Sequence, residues 1–297
     1  MNSDMDTFVF DYDTSMDTSD NEILIKKIQY AFTLLDIEWI PIYSELFLSI
    51  KDNYITLSFH NFNHAYEVFH TGVLLLLNES NLLMTLNSKE KLTFCIVLFG
   101  HDINHRGLTN IQIHNEIFVE NNESIKNTYM KQRSQSCNSI YDKYIECKDK
   151  KRTLSLHYEK DILLSYNEQH HMDILLSILN EYDIDVNIRL FKKLLHATDL
   201  SNHNYYLNDE YNGLIVFMKI SDLGHIFRPF HIHTRWVLNM NEERSNNLEL
   251  HDIPNDTIQF FTIYLYPILR KIENINPTFY NILLSRYQSN INIWGNM

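Results

Sequence analysis

Apolar side chains recur at three- and four-residue spacing through Asn21 to Leu35, Asn61 to Leu77 and Phe260 to Ile272, which is the period of a helix with one buried face. The helical pattern runs from about Asn21 to Trp294, punctuated by Pro41, Gly107, Gly213, Pro254 and Pro277, with no linker long enough to divide it. Six Gly and five Pro are few breakers for 297 residues. The spacing therefore predicts an all-α fold, a compact multi-helix domain over residues 21–297 preceded by a short lead-in. With 44% hydrophobic side chains, such a domain can bury a large core.

Two stretches break the pattern. Residues 1–20 carry Asp4, Asp6, Asp11, Asp13, Asp17 and Asp20 with no Lys before position 26, the opposite of a targeting peptide, and are expected to be a disordered acidic segment. Residues 121–153 are rich in Asn, Ser, Lys and Gln and read as a polar insertion between helices. The basic run Lys148 to Arg152 sits in that interval and reads as a solvated loop. A formal charge of -13 excludes a nucleic-acid surface, which needs clustered Lys and Arg. The longest apolar stretches, near Val73 to Leu77 and Phe94 to Phe99, fall far short of the ~20 residues of a bilayer span, so no membrane insertion is expected. Cys95, Cys137 and Cys147 form no CxxC pair, which predicts reduced thiols and a cytoplasmic setting.

The chemistry concentrates in three segments. The first is Phe59-His60-Asn61-Phe62-Asn63-His64-Ala65; if it begins a helix, His60 and His64 project from neighbouring turns of one face. The second, His101-Asp102-Ile103-Asn104-His105-Arg106-Gly107-Leu108-Thr109-Asn110, follows an apolar helix that ends near Phe99. The third is Ser221-Asp222-Leu223-Gly224-His225. A lone buried histidine is usually a satisfied core residue; three such segments flanked by helical sequence argue for a metal site. Mixed imidazole and carboxylate donors suit Zn²⁺, and a bridging carboxylate leaves a mostly hydrated second site for Mg²⁺ or Mn²⁺. Two ions about 3.5–4 Å apart activate a nucleophilic oxygen and neutralise phosphate charge, so phosphate ester hydrolysis is the natural chemistry.

The same residues carry a resemblance to the class I cyclic-nucleotide phosphodiesterases, a branch of the HD-type metal hydrolases. FHNFNHAYEV at Phe59 to Val68 resembles the family's YHNxxHAxDV, and His101 to Asn110 matches HDxxHxGxxN. SDLGHIFRPFHIHTRWVLNMNEE at Ser221 to Glu243 is similar to its ADxSxxxxP, Trp and EEF stretch, with Asp222 and Trp236 fourteen residues apart as in the family. His196 to Ser201 resembles an earlier family helix, which makes Asp199 the match to that helix and Asp222 the better metal ligand. The resemblance implies a dinuclear metal site at the bottom of a pocket, with His64, His101, Asp102 and Asp222 on the tight ion and Asp102 bridging to the second. It further implies cyclic nucleotide hydrolysis to the 5′-monophosphate by a metal-bridging hydroxide, with His60 as general acid and His105 holding a metal-bound water or the ligands in place. A homodimer is compatible with these features and not specified by them.

Two departures accompany the likeness. Where the family reads SxLENHH, Ser155-Leu156-His157-Tyr158-Glu159-Lys160 is taken to stand, so that His157 or a shifted Glu159 must substitute or the rate suffers. In the family's QxGFIxxxxxP segment, counting back from Pro267 puts Phe260 on the base-stacking Phe, Gln259 on the Gly and Thr257 on the purine-reading Gln. Phe260 is thereby a stacking platform or simply a core aromatic, and Gln259 reaches the base only after a one-turn adjustment. Phe59 replaces a Tyr, and the stretch between Glu243 and Pro267 is shorter than in the family. These departures leave an alternative open, a degenerate phosphodiesterase-like module that binds metal or nucleotide with little turnover. A third reading, an HD-type hydrolase of another phosphate ester, is disfavoured by the HNxxH element.

Overall fold

The computed structural model describes residues 18–113, 115–116, 165–200, 213–244 and 252–297. The regular structure among them is helical and contains no strand, as the spacing predicts. Residues 1–17 of the acidic lead-in, the polar interval 121–153 and the stretch 155–160 with His157 and Glu159 lie outside the described residues. The chain forms two compact units, one of residues 1–107 with 170–297 and one of residues 108–169.

The helices in chain order are α1 (Asn21–Leu34), α2 (Ile42–Asp52), α3 (Phe62–Leu77), α4 (Ser80–Thr85), α5 (Ser88–Gly100), α6 (Tyr166–Glu181), α7 (Ile188–Thr198) and α8 (Gly213–Asp222). They continue with α9 (Phe230–Glu243), α10 (Ile253–Phe260), α11 (Tyr266–Ile275) and α12 (Pro277–Trp294). A 3₁₀ turn at Gly224–Phe227 links α8 to α9, and a π turn at Phe261–Leu265 links α10 to α11. No helix among the described residues is long and apolar enough to cross a membrane.

In the larger unit α5 is the central element. It starts at a capping box in which the Asn87 side chain accepts from the Glu90 amide while the Glu90 carboxylate accepts from the Asn87 amide. From Lys91 to Gly100 every residue is buried, because α2, α3, α7 and α8 all pack against this helix. Lys91 is tolerated there because its ammonium donates to the Leu35 carbonyl at 2.9 Å. The ring of Phe99 is held between Phe69 at 4.2 Å, Phe47 at 4.9 Å and Phe62 at 5.8 Å, centroid to centroid.

This anchoring matters because the next two residues are His101 and Asp102. The last carbonyls of α5 would be orphans at a buried helix end, and side chains satisfy them. The Tyr54 hydroxyl donates to the Phe99 carbonyl at 2.6 Å, and His101 Nδ1 donates to the Leu98 carbonyl at 3.1 Å. Gly100 permits the close approach of α6: a Cβ there would stand 1.9 Å from a methyl of the fully buried Leu175 and 2.8 Å from its branch carbon.

Gly100→Ala is therefore expected to overpack this junction and cost about 1–3 kcal/mol, lowering the thermal midpoint by several degrees. An unchanged midpoint in a thermal melt would mean that α6 yields freely at Leu175.

Candidate active site

Asn61 divides the first motif into two functions. It is the N-cap of α3, with extended backbone (φ −118°, ψ 174°) and a side-chain oxygen that accepts from the His64 amide at 3.2 Å. Its amide group donates back to the Leu57 and Ser58 carbonyls, which fixes the turn before the helix. His64 thus lies in the first turn of α3, whereas His60 precedes the cap and stands outside the helix. The expectation that both project from one helical face is corrected accordingly: their rings lie 6.4 Å apart and nearly perpendicular, at 88°. Each joins a different cluster.

The first cluster is His64, His101, Asp102 and Asp222, whose nearest ligand atoms all lie within 4.8 Å of one another. Three elements converge here: the first turn of α3, the end of α5 and the last residue of α8. His101 Nε2 is 3.0 Å from Asp102 Oδ2 and 3.3 Å from Asp222 Oδ1; His64 Nε2 is 3.3 Å from Asp222 Oδ1 and 3.6 Å from Asp102 Oδ2. Because a carbonyl can only accept, the bond from His101 Nδ1 to Leu98 leaves a lone pair on Nε2 of the neutral ring, aimed at two carboxylates. That nitrogen and Asp102 Oδ2 are buried without a hydrogen-bond partner. Such a convergence calls for a positive charge, supplied by a bound cation or by a proton on His101. The ionisation preferences carry the same demand: burial opposes charge on His101, yet Asp102 and Asp222 hold its pKa well above the ordinary histidine value. Burial likewise works against charge on both carboxyls, and the facing histidines outweigh it and hold them below the usual range. The donor set fits a divalent metal ion through two imidazole nitrogens and two carboxylates.

Asp199, the competing carboxylate, is buried at the end of α7 and takes no part in this cluster. Asp222, chosen on its spacing to Trp236, is the carboxylate that stands in this cluster.

The second cluster is His60, His105 and Glu243. Glu243, the last residue of α9, accepts from the Phe59 and His60 amides at 2.7 and 3.0 Å through Oε2 and pairs with His60 Nδ1 through Oε1. Burial disfavours charge on His60, but Asp102, the Glu243 hydrogen bond and Asp222 more than offset it and raise its pKa above the ordinary value. Burial also raises the Glu243 carboxyl, and the His60 bond with the two amides overrides that and brings it down to about 2. His105 stacks on His60 with centroids 3.8 Å apart and rings within 19° of parallel. Its Nδ1 accepts from the Gly107 amide at 3.0 Å, and burial together with the neighbouring His60 charge lowers its pKa to about 4. The backbone folds back here through left-handed conformations at Asn104 (φ 58°) and Gly107 (φ 72°), the second of which explains the glycine in HDxxHxG.

Sequence reasoning noted the Glu242-Glu243 pair only as part of a likeness and assigned it no task. A second omission is clearer. The Glu-x-His-His order sought near residue 155 occurs at Glu168, His170 and His171, in the first turns of α6. His171 is buried with its ring 5.6 Å from that of His105, and His170 Nε2 donates to Asn104 Oδ1 at 3.0 Å. In the smaller unit the Glu168 carboxylate accepts from Asn110, the final residue of HDxxHxGxxN, at 3.0 Å. Asn110 Oδ1 in turn accepts from the Asn167 amide at 2.8 Å. The residue order Asn-Glu-Gln-His-His was the available signal.

The three base-pocket candidates are dispersed. Thr257 is buried, Gln259 is exposed and contacts Asn255, and Phe260 is half-buried against Tyr264. The neighbouring Phe261 is the aromatic that faces inward, against His225 and His233 at 5.3 and 5.5 Å.

Comparison with known proteins places these features in context. The model of the 3′5′-cyclic nucleotide phosphodiesterase family matches residues 59–285. A cGMP-specific 3′,5′-cGMP phosphodiesterase 3 of Dictyostelium discoideum is 27% identical over 282 residues, 84% of this chain and 55% of that protein. The 3′,5′-cyclic-nucleotide phosphodiesterase regA of the same organism is 24% identical over 212 residues, 62% of this chain and 22% of the relative. The chain thus spans about half, or less, of the length of these curated relatives. The crystal structure of the phosphodiesterase domain of the RhoPDE fusion protein from the choanoflagellate Salpingoeca rosetta superposes with a TM-score of 0.67 at 20% identity, covering 96% of this chain and 94% of that one, which establishes the shared fold.

Asp222→Asn is expected to abolish retention of the tight metal through loss of a ligand charge, whereas Asp199→Asn should retain it. Metal per chain, read by elemental analysis of both purified variants, checks the pair; equal metal in both would remove Asp222 from the ligand set.

Proposed function

The chain belongs to the 3′5′-cyclic nucleotide phosphodiesterase family, and from that premise we propose that it hydrolyses a 3′,5′-cyclic nucleotide to the 5′-monophosphate. The observation that carries the reading is the adjacency of a four-ligand cation site and a partly exposed imidazole held by a carboxylate on its far nitrogen. His64, His101, Asp102 and Asp222 would hold Zn²⁺, and Asp102 would also serve a second ion, Mg²⁺ or Mn²⁺. When bound, such ions supply Lewis acidity at the phosphate and lower the pKa of water.

The remaining work falls to this chain's own side chains. Glu243 takes Nδ1 of His60, so the second ring proton sits on Nε2, and the raised pKa favours the cationic ring. Water oxygen adds to phosphorus as the P–O3′ bond breaks; one water proton stays on the phosphate and the other leaves to solvent, while the Nε2 proton passes to O3′, giving a free 3′-hydroxyl and a 5′-monophosphate, and His60 is reprotonated from solvent. His105, neutral and stacked on His60, confines that ring to one plane without competing for its charge. Turnover is favoured over a binding-only module because the acid histidine keeps a carboxylate partner and the Glu-x-His-His order is present on α6. A cytoplasmic setting belongs to the same proposal, in line with the free, buried thiol of Cys95.

Purified protein with Mg²⁺ or Mn²⁺ should turn over cAMP, cGMP or both, and His60→Ala should keep its metal while losing ~10² to 10⁴-fold in rate. Stoichiometric metal without turnover of either nucleotide would favour the binding module. Glu243→Gln has a signed pH effect. Because the acid must be protonated, activity falls as pH rises through the His60 pKa, and removing one of the charges that raise that pKa moves the alkaline limb of kcat/KM to lower pH. A limb that stays in place would detach Glu243 from the proton transfer.

A further inference from the structure

Outside the catalytic groups, one helix carries charge opposite in sign to the rest of the molecule. Residues 186–198, which contain α7, hold Arg189, Lys192, Lys193 and His196 and no Asp or Glu, in a chain of formal charge -13. At spacings of three, four and seven these side chains share one face, opposite the buried Leu190, Phe191, Leu194 and Leu195 that pack α7 against α5 and α8. Arg189 and Lys192 are exposed, and neither makes an ion pair among the described residues. Other cations of the unit are engaged: Lys26 with Glu22, Lys89 with Asp185, Arg270 with Glu273, and Lys91 with the Leu35 carbonyl. Helix energetics do not account for the placement either. Arg189 lies in the first turn of α7, where the macrodipole disfavours a cation, and that turn holds no acidic residue. An anionic segment lying across the face would offset that penalty.

The complementary charge is in the same chain. Residues 1–20 hold six Asp and no Lys or Arg, and Phe8, Phe10 and Tyr12 interleave with Asp11 and Asp13. Ile188, 46% exposed at the start of α7, offers such a segment an apolar contact beside the cations. The lead-in is fastened to the larger unit where it ends. Thr18 is buried, and its hydroxyl donates to Asn63 Oδ1 of α3 at 2.6 Å; the Lys51 ammonium donates to the Thr18 carbonyl and, at 2.7 Å, to Asn21 Oδ1. Because α3 and α7 both pack against α5 and α8, their axes are no more than about two interhelical spacings apart, ~20 Å. Extended chain from the Thr18 anchor reaches up to ~24 Å at Asp11 and ~48 Å at Asp4. Tethering at that distance concentrates the carboxylates at the face and favours docking within the chain over an acidic partner in solution.

We propose that the acidic lead-in folds back on its own catalytic unit, with the carboxylates of Asp4, Asp6 and Asp11 lying against Arg189, Lys192 and Lys193 of α7. The contact is electrostatic and sits on an exposed face, so salt weakens it. Displacing the lead-in uncovers a basic surface on an otherwise acidic molecule, and the partner that surface then fits is a second acidic segment.

Zero-length carbodiimide coupling of the full chain, carried out on an equal mixture of ¹⁴N- and ¹⁵N-labelled protein, reads the contact by mass spectrometry. The expected result is amide links from Asp4, Asp6 or Asp11 to Lys192 or Lys193, each within one isotopic species. Those links should be lost at about 1 M salt, where the Debye length is about 3 Å, and the link to Lys193 should be lost in the Arg189→Glu/Lys192→Glu variant. Links joining ¹⁴N to ¹⁵N chains would assign the face to the lead-in of a second copy and overturn docking within the chain. Links spread equally over Lys89 and Lys271, or an absence of links to α7, would overturn the docking itself and leave the basic face to an acidic partner.

Discussion

The arrangement depends on one electrostatic constraint, the convergence of two carboxylates and two imidazole lone pairs in a largely buried site. Left without a cation, the four groups repel or must borrow protons, and His101 has already committed its other nitrogen to a helix carbonyl. The packing around α5 makes the convergence possible. A helix buried on every side, anchored through Phe99 and capped by the Tyr54 hydroxyl, ends where His101 and Asp102 must stand, and α3 and α8 bring the other two ligands to it.

A second constraint separates the roles of two nearby histidines. The Asn61 cap breaks the backbone direction between His60 and His64, so that one ring serves the cation cluster and the other meets Glu243 at the end of α9. The same carboxylate receives two backbone amides, and so a single side chain fixes both the turn and the ionisation of the ring beside it. Depressed Glu243 and raised His60 belong to one ion pair.

Much of this was legible beforehand, and the reasons differ from residue to residue. The helical period survives in sequence because burial of one helix face imposes it locally, and HDxxHxGxxN is readable because its ligands, its tight turn and its left-handed glycine are contiguous. The reading of Glu-x-His-His failed for a different reason: it was sought at residue 155, across a polar stretch of variable length, while Glu168, His170 and His171 lay further on in α6. The helical-face expectation for His60 and His64 failed because spacing alone does not say where a helix begins, and an asparagine between them is itself the start signal.

By itself the sequence determined the all-α class, the candidate ligand motifs and the family likeness, because each rests on local period or on short motifs whose members sit close together in the chain. Only the tertiary structure decided that Glu243 holds His60 across more than 180 residues, that Asp222 joins the cluster while Asp199 stays outside it, and that Trp294 fixes the direction of the His233–His225 pair. Those outcomes turn on which side chains packing brings within hydrogen-bond reach, and on donors and acceptors that have no fixed partner until the helices have closed around them.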